Sequence, residues 1–456
     1  MIQPEVDREV MIKEENPHFS RKNVEAIAEW KAEPDWMRAR RLELFELFRK
    51  LPMPGRKDED WRRTDISALE YTRYLPFEPI IAPPVKSFDE LPDLVRRAFD
   101  AESEVDNLIV NHNGQRIFRQ TTSQIERAKV IFTDLDDAVR RYPELVQQYF
   151  MQSGAQAQDE KFVALHGAFW NGGTFLYVPR NVKVEAPIRS FNVLSRSQAA
   201  SFDHVLIIVE EGAEITFFEE NVSAELNQQA FSNSVVEIFV KPGAKLQFIS
   251  LQNHGHTVYN FSHKRALIER DATMNWLVGT FGSRLSKSVI GSIMVGPGSS
   301  TEMLGLSFGD SDQVIDQNTL QIHQAPHTKS DLLFKTALKE RSRSIYKGTI
   351  HVVHGAQKAD AYQANRNLVL GRQARADSIP GLEIEANDVR CTHGATVGTV
   401  DEEQLFYLMS RGLSRDEAVK IIVDGFFEPV LRRIPDERVV ARLRETIEAK
   451  TATIVL

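Results

Sequence analysis

Cysteine is almost missing from this chain, whose 456 residues include a single one, Cys391. One thiol excludes an intrachain disulfide framework, a Cys-x-x-Cys redox pair and a zinc site built from cysteines alone. Proteins without disulfides are typical of reducing compartments, so the composition predicts a cytoplasmic protein.

Long apolar stretches are missing as well. No segment reaches the roughly 18 consecutive apolar residues that a membrane-spanning helix needs, and the opening residues Met1 to Glu9 are too charged for a signal peptide. Acidic residues outnumber basic ones by 64 to 56, which gives a net charge of −8. This negative balance argues against binding to nucleic acid or to an anionic membrane surface.

Signatures of common enzyme classes are also missing. The sequence contains no G-x-x-x-x-G-K-[ST] loop, no G-x-G-x-x-G turn and no H-E-x-x-H helix. We therefore expect no enzymatic activity in this chain. If ATP drives its function, a partner must bind the nucleotide.

What the chain does contain is a repeat between residues 171 and 397. Short apolar strands recur around Gly212, Gly243, Asp271 and Gly298, at spacings of 31, 28 and 27 residues, and Gly355 follows 57 residues later, two further periods. A strand–turn–strand unit of this length cannot bury its own apolar face, so stacked units must share one core. We predict a right-handed parallel β-helix. The rival architecture is a β-sandwich, with turns about every 8–12 residues.

Helical segments flank this repeat, so the predicted class is mainly β with helices at both ends. Residues 1–170 are predicted to form a mostly helical N-terminal domain, and residues 398–456 a C-terminal helical domain. Short strands are expected over Val105–Thr133 and one helix over Asp134–Phe150. Helix starts are indicated by four capping positions: Ser20, Pro34, Asp401 and Ser414.

The candidate site residues are Cys391 and His393. Residues i and i+2 of a strand point to the same side, so an extended segment over 388–393 would place the thiol and the imidazole on one face. A solitary cysteine is usually a small buried apolar residue, and a nearby histidine is usually inert. The pair alone is therefore a weak signal.

Three C-terminal segments carry a family resemblance: GAQKADAYQANRNLVL (355–370), LEIEANDVRCTHGATVG (382–398) and DEEQLFYLMSRGL (401–413). They resemble the SufB/SufD family of iron–sulfur cluster assembly proteins nearly word for word. The run from Arg56 to Trp61 resembles the RK-x-E-x-W signature near the start of SufD proteins. The SufB branch carries a functional cysteine where this chain has Ala374, so the resemblance is closer to SufD.

The resemblance implies a β-helix scaffold subunit of the SUF system that pairs with a SufB-like chain and binds a SufC-like ATPase. His393 then matches the histidine that SufD is thought to contribute, and His393 and Cys391 would share a transient iron–sulfur cluster with the partner. A cluster usually takes four protein ligands, mostly thiolates, so a chain with one thiol needs a second chain to complete the site. The family's complex is also linked to reduced flavin, for which no feature of this sequence locates a site.

The C-terminal helical domain is implied by the resemblance to bind the ATPase subunit. Four apolar residues of this segment are either core residues or part of the docking face, and we assign them to partner docking: Phe426, Phe427, Val430 and Leu431.

Alternative functions stay open. The segment Glu33–Met37 resembles SufB proteins, which leaves a SufB-type scaffold or a homodimeric SufB/SufD-like protein. A structural adaptor would differ only in that His393 plays no part in cluster formation. A carbohydrate-active β-helix enzyme would need paired carboxylates. The candidate carboxylates for such an enzyme are Asp310, Asp312 and Asp316. A separate, weak candidate for metal binding is the histidine cluster of His254, His256 and His263.

Overall fold

The structure is a computed structural model that describes residues 16–76, 84–97 and 106–452. The opening residues Met1 to Glu9 and Val105, the expected start of the first strands, lie outside this described part. The helices are α1 (Arg21–Trp30), α2 (Asp35–Lys50), α3 (Asp93–Arg96), α4 (Ser123–Arg127), α5 (Leu135–Arg141), α6 (Pro143–Tyr149), α7 (Lys161–Phe169), α8 (Glu402–Ser410), α9 (Arg415–Leu431) and α10 (Glu437–Thr451).

The first three strands have four to six residues, and from β4 onward the strands have seven to eleven residues, except β6, which has two. They are β1 (Leu108–His112), β2 (Gln115–Gln120), β3 (Ile131–Asp134), β4 (Gly172–Val178), β5 (Ile188–Leu194), β6 (Ala200–Ser201), β7 (Asp203–Val209), β8 (Glu214–Ser223), β9 (Ala230–Val240), β10 (Lys245–Asn253), β11 (Val258–Ile268), β12 (Thr273–Thr280), β13 (Leu285–Met294), β14 (Ser300–Gly309), β15 (Val314–His323), β16 (Lys329–Leu338), β17 (Arg343–Val352), β18 (Asp360–Val369), β19 (Arg375–Ile384) and β20 (Arg390–Thr399).

The strands form two sheets that enclose a common interior. The first sheet has the order β2-β1-β5-β8-β10-β12-β14-β16-β18-β20, and the second has the order β19-β17-β15-β13-β11-β9-β7-β4-β3, with β6 beside β9. From β7 onward, consecutive strands alternate between the sheets and pair in parallel with the strand one coil away. This is a parallel β-solenoid, which confirms the fold predicted from the repeat and rules out the antiparallel β-sandwich.

The predicted turn positions lie at one corner of the solenoid. Gly212, Gly243, Asp271 and Gly298 all have positive φ, at 67°, 65°, 56° and 73°. Each N–H donates to a carbonyl oxygen of the next coil, as from Gly212 to Pro242 at 3.0 Å. A Cβ added at Gly298 would lie 2.2 Å from Oδ1 of Asp271, so a larger residue there would displace that side chain and would also strain the positive φ.

Two details of the corners differ from the prediction. His327, with φ of 59°, occupies the corner between Gly298 and Gly355 that sequence spacing left empty. The next corner was predicted at Gly355, but the hydrogen bond to the following coil is made by Lys358, whose N–H donates to the Asp388 carbonyl at 2.6 Å. A further series of positive-φ corners contains no glycine: Ser283, Ser311 and Glu340.

Helices cover the outer faces of both sheets. The N-terminal helices α1, α2 and α7 bury aromatic residues against the second sheet, including Phe202, Phe231 and Phe261. The C-terminal helices α9 and α10 pack on the first sheet, against Leu304 and Leu306. The protein is therefore layered as helices, sheet, interior, sheet and helices. None of the described helices combines the length and apolarity that crossing a bilayer requires.

The flanking regions confirm most of the predicted helix starts. α1 begins after Ser20, and α9 begins with a capping box between Ser414 and Glu417. The single helix predicted over Asp134–Phe150 was wrong: it is divided into α5 and α6, because Pro143 has no N–H with which to continue α5. The division of the chain at residues 170 and 397 stays a prediction.

Strands of the N-terminal region join the solenoid. β1 pairs in parallel with β5 in the first sheet, and β3 pairs antiparallel with β4 in the second. The segment 106–134 therefore extends both sheets rather than forming a separate layer.

His323 gives the solenoid interior a titratable group. Its Nδ1 lies 2.7 Å from the Thr328 hydroxyl and its Nε2 lies 2.9 Å from the Ser330 hydroxyl. Burial lowers the pKa of His323 to about 4. Because the unfolded chain binds this proton near pH 6.5 and the folded chain does not, the stabilising contribution is present above pH 6.5 and is lost as the pH falls towards 4.

We predict that His323→Gln reduces the pH dependence of stability in this range. The variant no longer takes up the extra proton, up to one per molecule, that the wild type binds on unfolding. The slope of the unfolding free energy against pH therefore falls by up to about 1.4 kcal/mol per pH unit. Urea unfolding between pH 4 and 7 measures it. The exposed His354 provides the control His354→Gln, which should keep the wild-type slope. An unchanged slope in His323→Gln would contradict a neutral buried imidazole.

Candidate functional site

The last coil of the solenoid positions Cys391 and His393. Both lie on β20, the final strand of the first sheet, in register with Ala361 and Gln363 of β18. Those two β18 residues are buried inside the solenoid. Because side chains in a register column point the same way, Cys391 and His393 occupy interior-facing positions at the end of the stack.

The two residues differ in exposure. Cys391 is half-buried and packs beside the small apolar cluster that includes Ala361 and Ala386. His393 is exposed, and within the described part of the chain its side chain makes no hydrogen bond or ion pair. The imidazole is therefore available to a ligand or to a second chain.

The thiol of Cys391 is held in its neutral form. Burial raises its pKa, the Asp360 carboxylate raises it further, and a hydrogen bond with the Ala361 backbone acts in the opposite direction. A metal ion that binds this sulfur must displace the proton, so binding would release a proton to solvent.

The coil around this pair leaves apolar residues uncovered. Leu382 and Ile384 of β19 continue the interior columns of Ile350 and Val352, which are fully buried. Without a following coil, Leu382, Ile384 and Val397 are 38%, 39% and 52% exposed. Solenoids normally end in a capping unit with a polar outer face. We call the exposed end formed by β19 and β20 the open end.

The open end also presents unpaired backbone. Within the described residues, β19 pairs only with β17 and β20 pairs only with β18, so each ten-residue strand has one free hydrogen-bonding edge. Such edges readily pair with another chain. Backbone and side chains therefore both leave this end of the solenoid open to extension.

The described part of the chain does not bring together the side chains of a complete metal site. In the described ranges, no group of three or more His, Cys, Asp or Glu side chains is arranged to hold a metal ion. The open end offers at most an imidazole and a thiol, which leaves further ligands to be supplied from elsewhere.

Comparison with known proteins now identifies the family. Residues 17–190 match the SufBD protein N-terminal region, and residues 192–426 match the SufBD core domain of the SUF system for FeS cluster assembly. The chain belongs to the SufBD family. The family resemblance found in the sequence is confirmed.

SufBD relatives match this chain over most of its length. An iron–sulfur cluster assembly SufBD family protein of Staphylococcus epidermidis is 32% identical over 438 residues, which cover 94% of this chain and 93% of the relative. A protein of the same family from Staphylococcus aureus is 32% identical over 421 residues, covering 91% and 89%. This is an iron–sulfur cluster assembly protein of the SUF system.

The four residues assigned to partner docking are mostly interior, which corrects their assignment as direct contacts. Phe427, Val430 and Leu431 have 0–2% of their surface exposed, because this face of α9 packs on the first sheet. Only Phe426 is half-buried. These residues are core residues, the other of the two roles considered for them, and they attach the helical domain to the SufBD solenoid. The docking role of the domain itself stays a prediction.

Sequence reasoning missed the exposed apolar residues of the same domain. Phe406, Tyr407 and Met409 on α8 are 74%, 56% and 41% exposed, and Ile421 on α9 is 47% exposed. The signal was the run Leu405–Met409 itself: five apolar residues in one short helix cannot all face one side.

The histidine and aspartate sets form no joint site. Burial lowers the pKa of His254 to about 4 and that of His263 to about 3, whereas His256 is exposed and lies 3.4 Å from Asp310. Each of the three aspartates is engaged by its own cationic partner: Asp310 by Lys450, Asp312 by Arg284, and Asp316 by Lys287.

One serine motif has the spacing of a hydrolase nucleophile without its geometry. Gly305-Leu-Ser307-Phe-Gly309 reads G-x-S-x-G, a pattern that needs a sharp strand-to-helix turn to expose the serine. Here it lies along β14, and Ser307 is buried and hydrogen-bonded to Gln317. It has no nucleophilic role in this position.

The RK-x-E-x-W segment packs its tryptophan on the second sheet. The Trp61 ring lies 5.4 Å from Phe162 and 5.3 Å from Phe261, and Nζ of Lys287 lies 4.6 Å from its centroid. A cavity of about 630 Å³ lies beside it. Burial raises the pKa of Glu160, in its wall, to about 7. Nothing in these contacts is specific for flavin, whose binding stays a prediction without an assigned site.

We predict that Asp360→Asn accelerates alkylation of Cys391 by iodoacetamide at pH 8 by a factor of about two to three, because a neighbouring negative charge disfavours the reactive thiolate. The single cysteine makes the labelling, followed by mass spectrometry, unambiguous. Asp388→Asn is the control, since this exposed carboxylate pairs with Lys358. The difference should shrink in high salt, and equal rates for Asp360→Asn and wild type would refute the electrostatic coupling.

Proposed function

We propose that this SufBD protein is a SufD-like scaffold subunit of a SUF iron–sulfur cluster assembly complex. Its open end pairs with a SufB-like chain, and its C-terminal helical domain binds a SufC-like ATPase. The iron–sulfur cluster is cargo that forms at the subunit junction and is passed on. The observation that carries this proposal is the uncapped last coil with His393 and Cys391 in it.

The contents of the open end support assembly on a second chain. One imidazole and one thiol fall short of the four ligands that a cluster usually takes. Partner strands beside β20 and β19 would supply the missing ligands and would also cover Val397 of β20 and Leu382 and Ile384 of β19, which are costly to leave in water. Ligand count and apolar exposure lead to the same contact.

Assignment to the SufD branch is supported by the residue at position 374, in the corner just before β19. Ala374 stands there, where the SufB branch has its cysteine, and its N–H donates to the Gly371 carbonyl at 3.2 Å. With Ala374 in place, Cys391 is the sole thiol in the chain. The protein would therefore contribute mainly its imidazole, as a ligand to iron or as a group that moves a proton.

A homodimeric or SufB-type scaffold is the second candidate. The same open end would accept a second copy of this chain, which brings two imidazoles and two thiols to one junction. That is a full set of four ligands, so ligand count alone does not exclude it.

We predict that His393→Ala leaves complex formation intact and slows cluster formation about tenfold or more, since loss of a ligand or its support typically weakens metal sites by that order. The protein is co-expressed with its SUF partners, complex formation is measured by size-exclusion chromatography with light scattering, and the cluster by its visible absorption. Cys391→Ser is measured in parallel.

The control is His354→Ala, which removes an exposed histidine near the preceding coil. It should match the wild type in both measurements. Undiminished cluster formation in an intact His393→Ala complex would favour a structural adaptor over a subunit that takes part in the chemistry.

We predict that Phe406→Ser weakens binding of the SufC-like ATPase about tenfold or more, because truncating a central aromatic anchor commonly costs that much. Isothermal titration calorimetry with the purified ATPase measures the affinity. Leu94→Ser is the matched control, since Leu94 is an exposed apolar residue of α3. Unchanged affinity for Phe406→Ser would remove α8 from the docking surface.

A further inference from the structure

A groove of about 450 Å³ lies between the outer face of the first sheet and helix α9. Its floor is formed by β16, β18 and β20, and its wall by α9. The lining combines cations with aromatic and other apolar side chains, chiefly Lys335, Arg366, Arg433, Tyr362, Phe426 and Pro429. Within the described residues, no acidic side chain lines it.

Two of these cations face each other without a counter-charge. Lys335 of β16 and Arg366 of β18 are direct partners in the parallel ladder, so both side chains project from the same face. Like charges placed directly opposite destabilise a sheet. The Arg366 guanidinium makes no hydrogen bond or ion pair in the described part of the chain.

The third cation is neutralised outside the groove. Arg433 forms ion pairs with Glu302 and with Asp331, the latter at 2.7 Å. Among the three cations of the groove, only Lys335 and Arg366 therefore lack an acidic partner.

The surroundings of Lys335 increase the cost of its charge. The residue is 9% exposed, and its Nζ donates to the Phe426 carbonyl at 2.6 Å. Burial lowers the pKa of Lys335, and the Arg366 charge lowers it further. An ammonium in this position has two more N–H donors, and no acidic side chain among the described residues of the groove receives them.

The groove also has space and apolar walls beside the cations. Nη2 of Arg366 lies 3.9 Å from where a Cβ would stand on Gly394, so this β20 position presents no side chain against the guanidinium. Tyr362 is 42% exposed, and the Phe426 ring carries the Lys335 ammonium 4.6 Å from its centroid.

We propose that this groove binds a small organic oxyanion, whose phosphate or carboxylate group lies between Lys335 and Arg366 and whose body packs against Tyr362 and Phe426. Such an anion relieves the repulsion of the two cations and receives charge-assisted hydrogen bonds from both. The site does not depend on which SUF partners the protein has.

The test measures binding of pyrophosphate and of citrate to the full chain by isothermal titration calorimetry and by thermal unfolding, against sodium chloride at matched ionic strength. We expect either or both oxyanions to bind and to raise the unfolding midpoint more than chloride does. A preference for pyrophosphate assigns phosphate compounds as ligands, and a preference for citrate assigns carboxylates.

Two variants of Arg366 make the test specific. Arg366→Gln should weaken oxyanion binding about tenfold or more, the size expected for losing one charge-assisted contact. Arg366→Glu should abolish binding and raise the unfolding midpoint in oxyanion-free buffer, because the new carboxylate pairs with Lys335. Arg372→Gln, at an exposed arginine in the corner after β18, should bind as the wild type does.

Two results would overturn the proposal. One is stabilisation by pyrophosphate and citrate that does not exceed that by chloride. The other is wild-type oxyanion affinity in Arg366→Gln, since the anion would then lie elsewhere.

Discussion

The structure depends on the stacking of one coil on the next. A single coil leaves an edge of backbone N–H and C=O groups on each strand and an apolar face that it cannot cover, and only a neighbouring coil in register satisfies both. Every other layer follows from this stacking: the corners must repeat, the interior columns must align, and the outer faces become platforms for helices. The two ends of the stack are the places where the condition fails.

The ends meet this problem differently. At the N-terminal end, β2 and β3 finish the sheets as antiparallel strands, and α3 packs against the strand pair β1–β2 through Val95. At the other end, β19 and β20 finish the sheets with the same parallel geometry as the coils before them. This asymmetry explains why the candidate site lies at the end that can still be extended, with His393 exposed and Cys391 half-buried.

A feature could be predicted from the sequence when it is set by the residue itself or by its neighbours in the chain, and not when it is set by long-range contacts. Glycine marks a positive-φ corner by itself, so Gly212, Gly243 and Gly298 revealed the period and with it the fold. Ser283 and Glu340 also have positive φ, at corners where the inter-coil hydrogen bonds are made by Ser283 itself and by Arg341 beside Glu340. No local sequence pattern reports these long-range contacts. The site residues could be named, since spacing fixes a strand face, but their exposure depended on which coil came last.

The docking residues show the same limit. Phe427 and Val430 are apolar and lie near the C-terminus, which fits a docking face and a packed face equally well. Which face of α9 is buried is decided by its contact with β14 and β16, many residues earlier in the chain. Composition indicated that the domain has more apolar surface than it can bury, and the residues that stay exposed, such as Phe406, could be found only from coordinates.

The alternation of side chains in the last coil sets a condition on any chain that joins it. A strand added beside β20 and another beside β19 must both place their apolar positions over Val397 and Ile384, and a shift of one residue on either strand would turn those positions to water. Both added strands must therefore have the correct register at the same time. A chain of similar composition but shifted hydrophobic periodicity would not satisfy this condition.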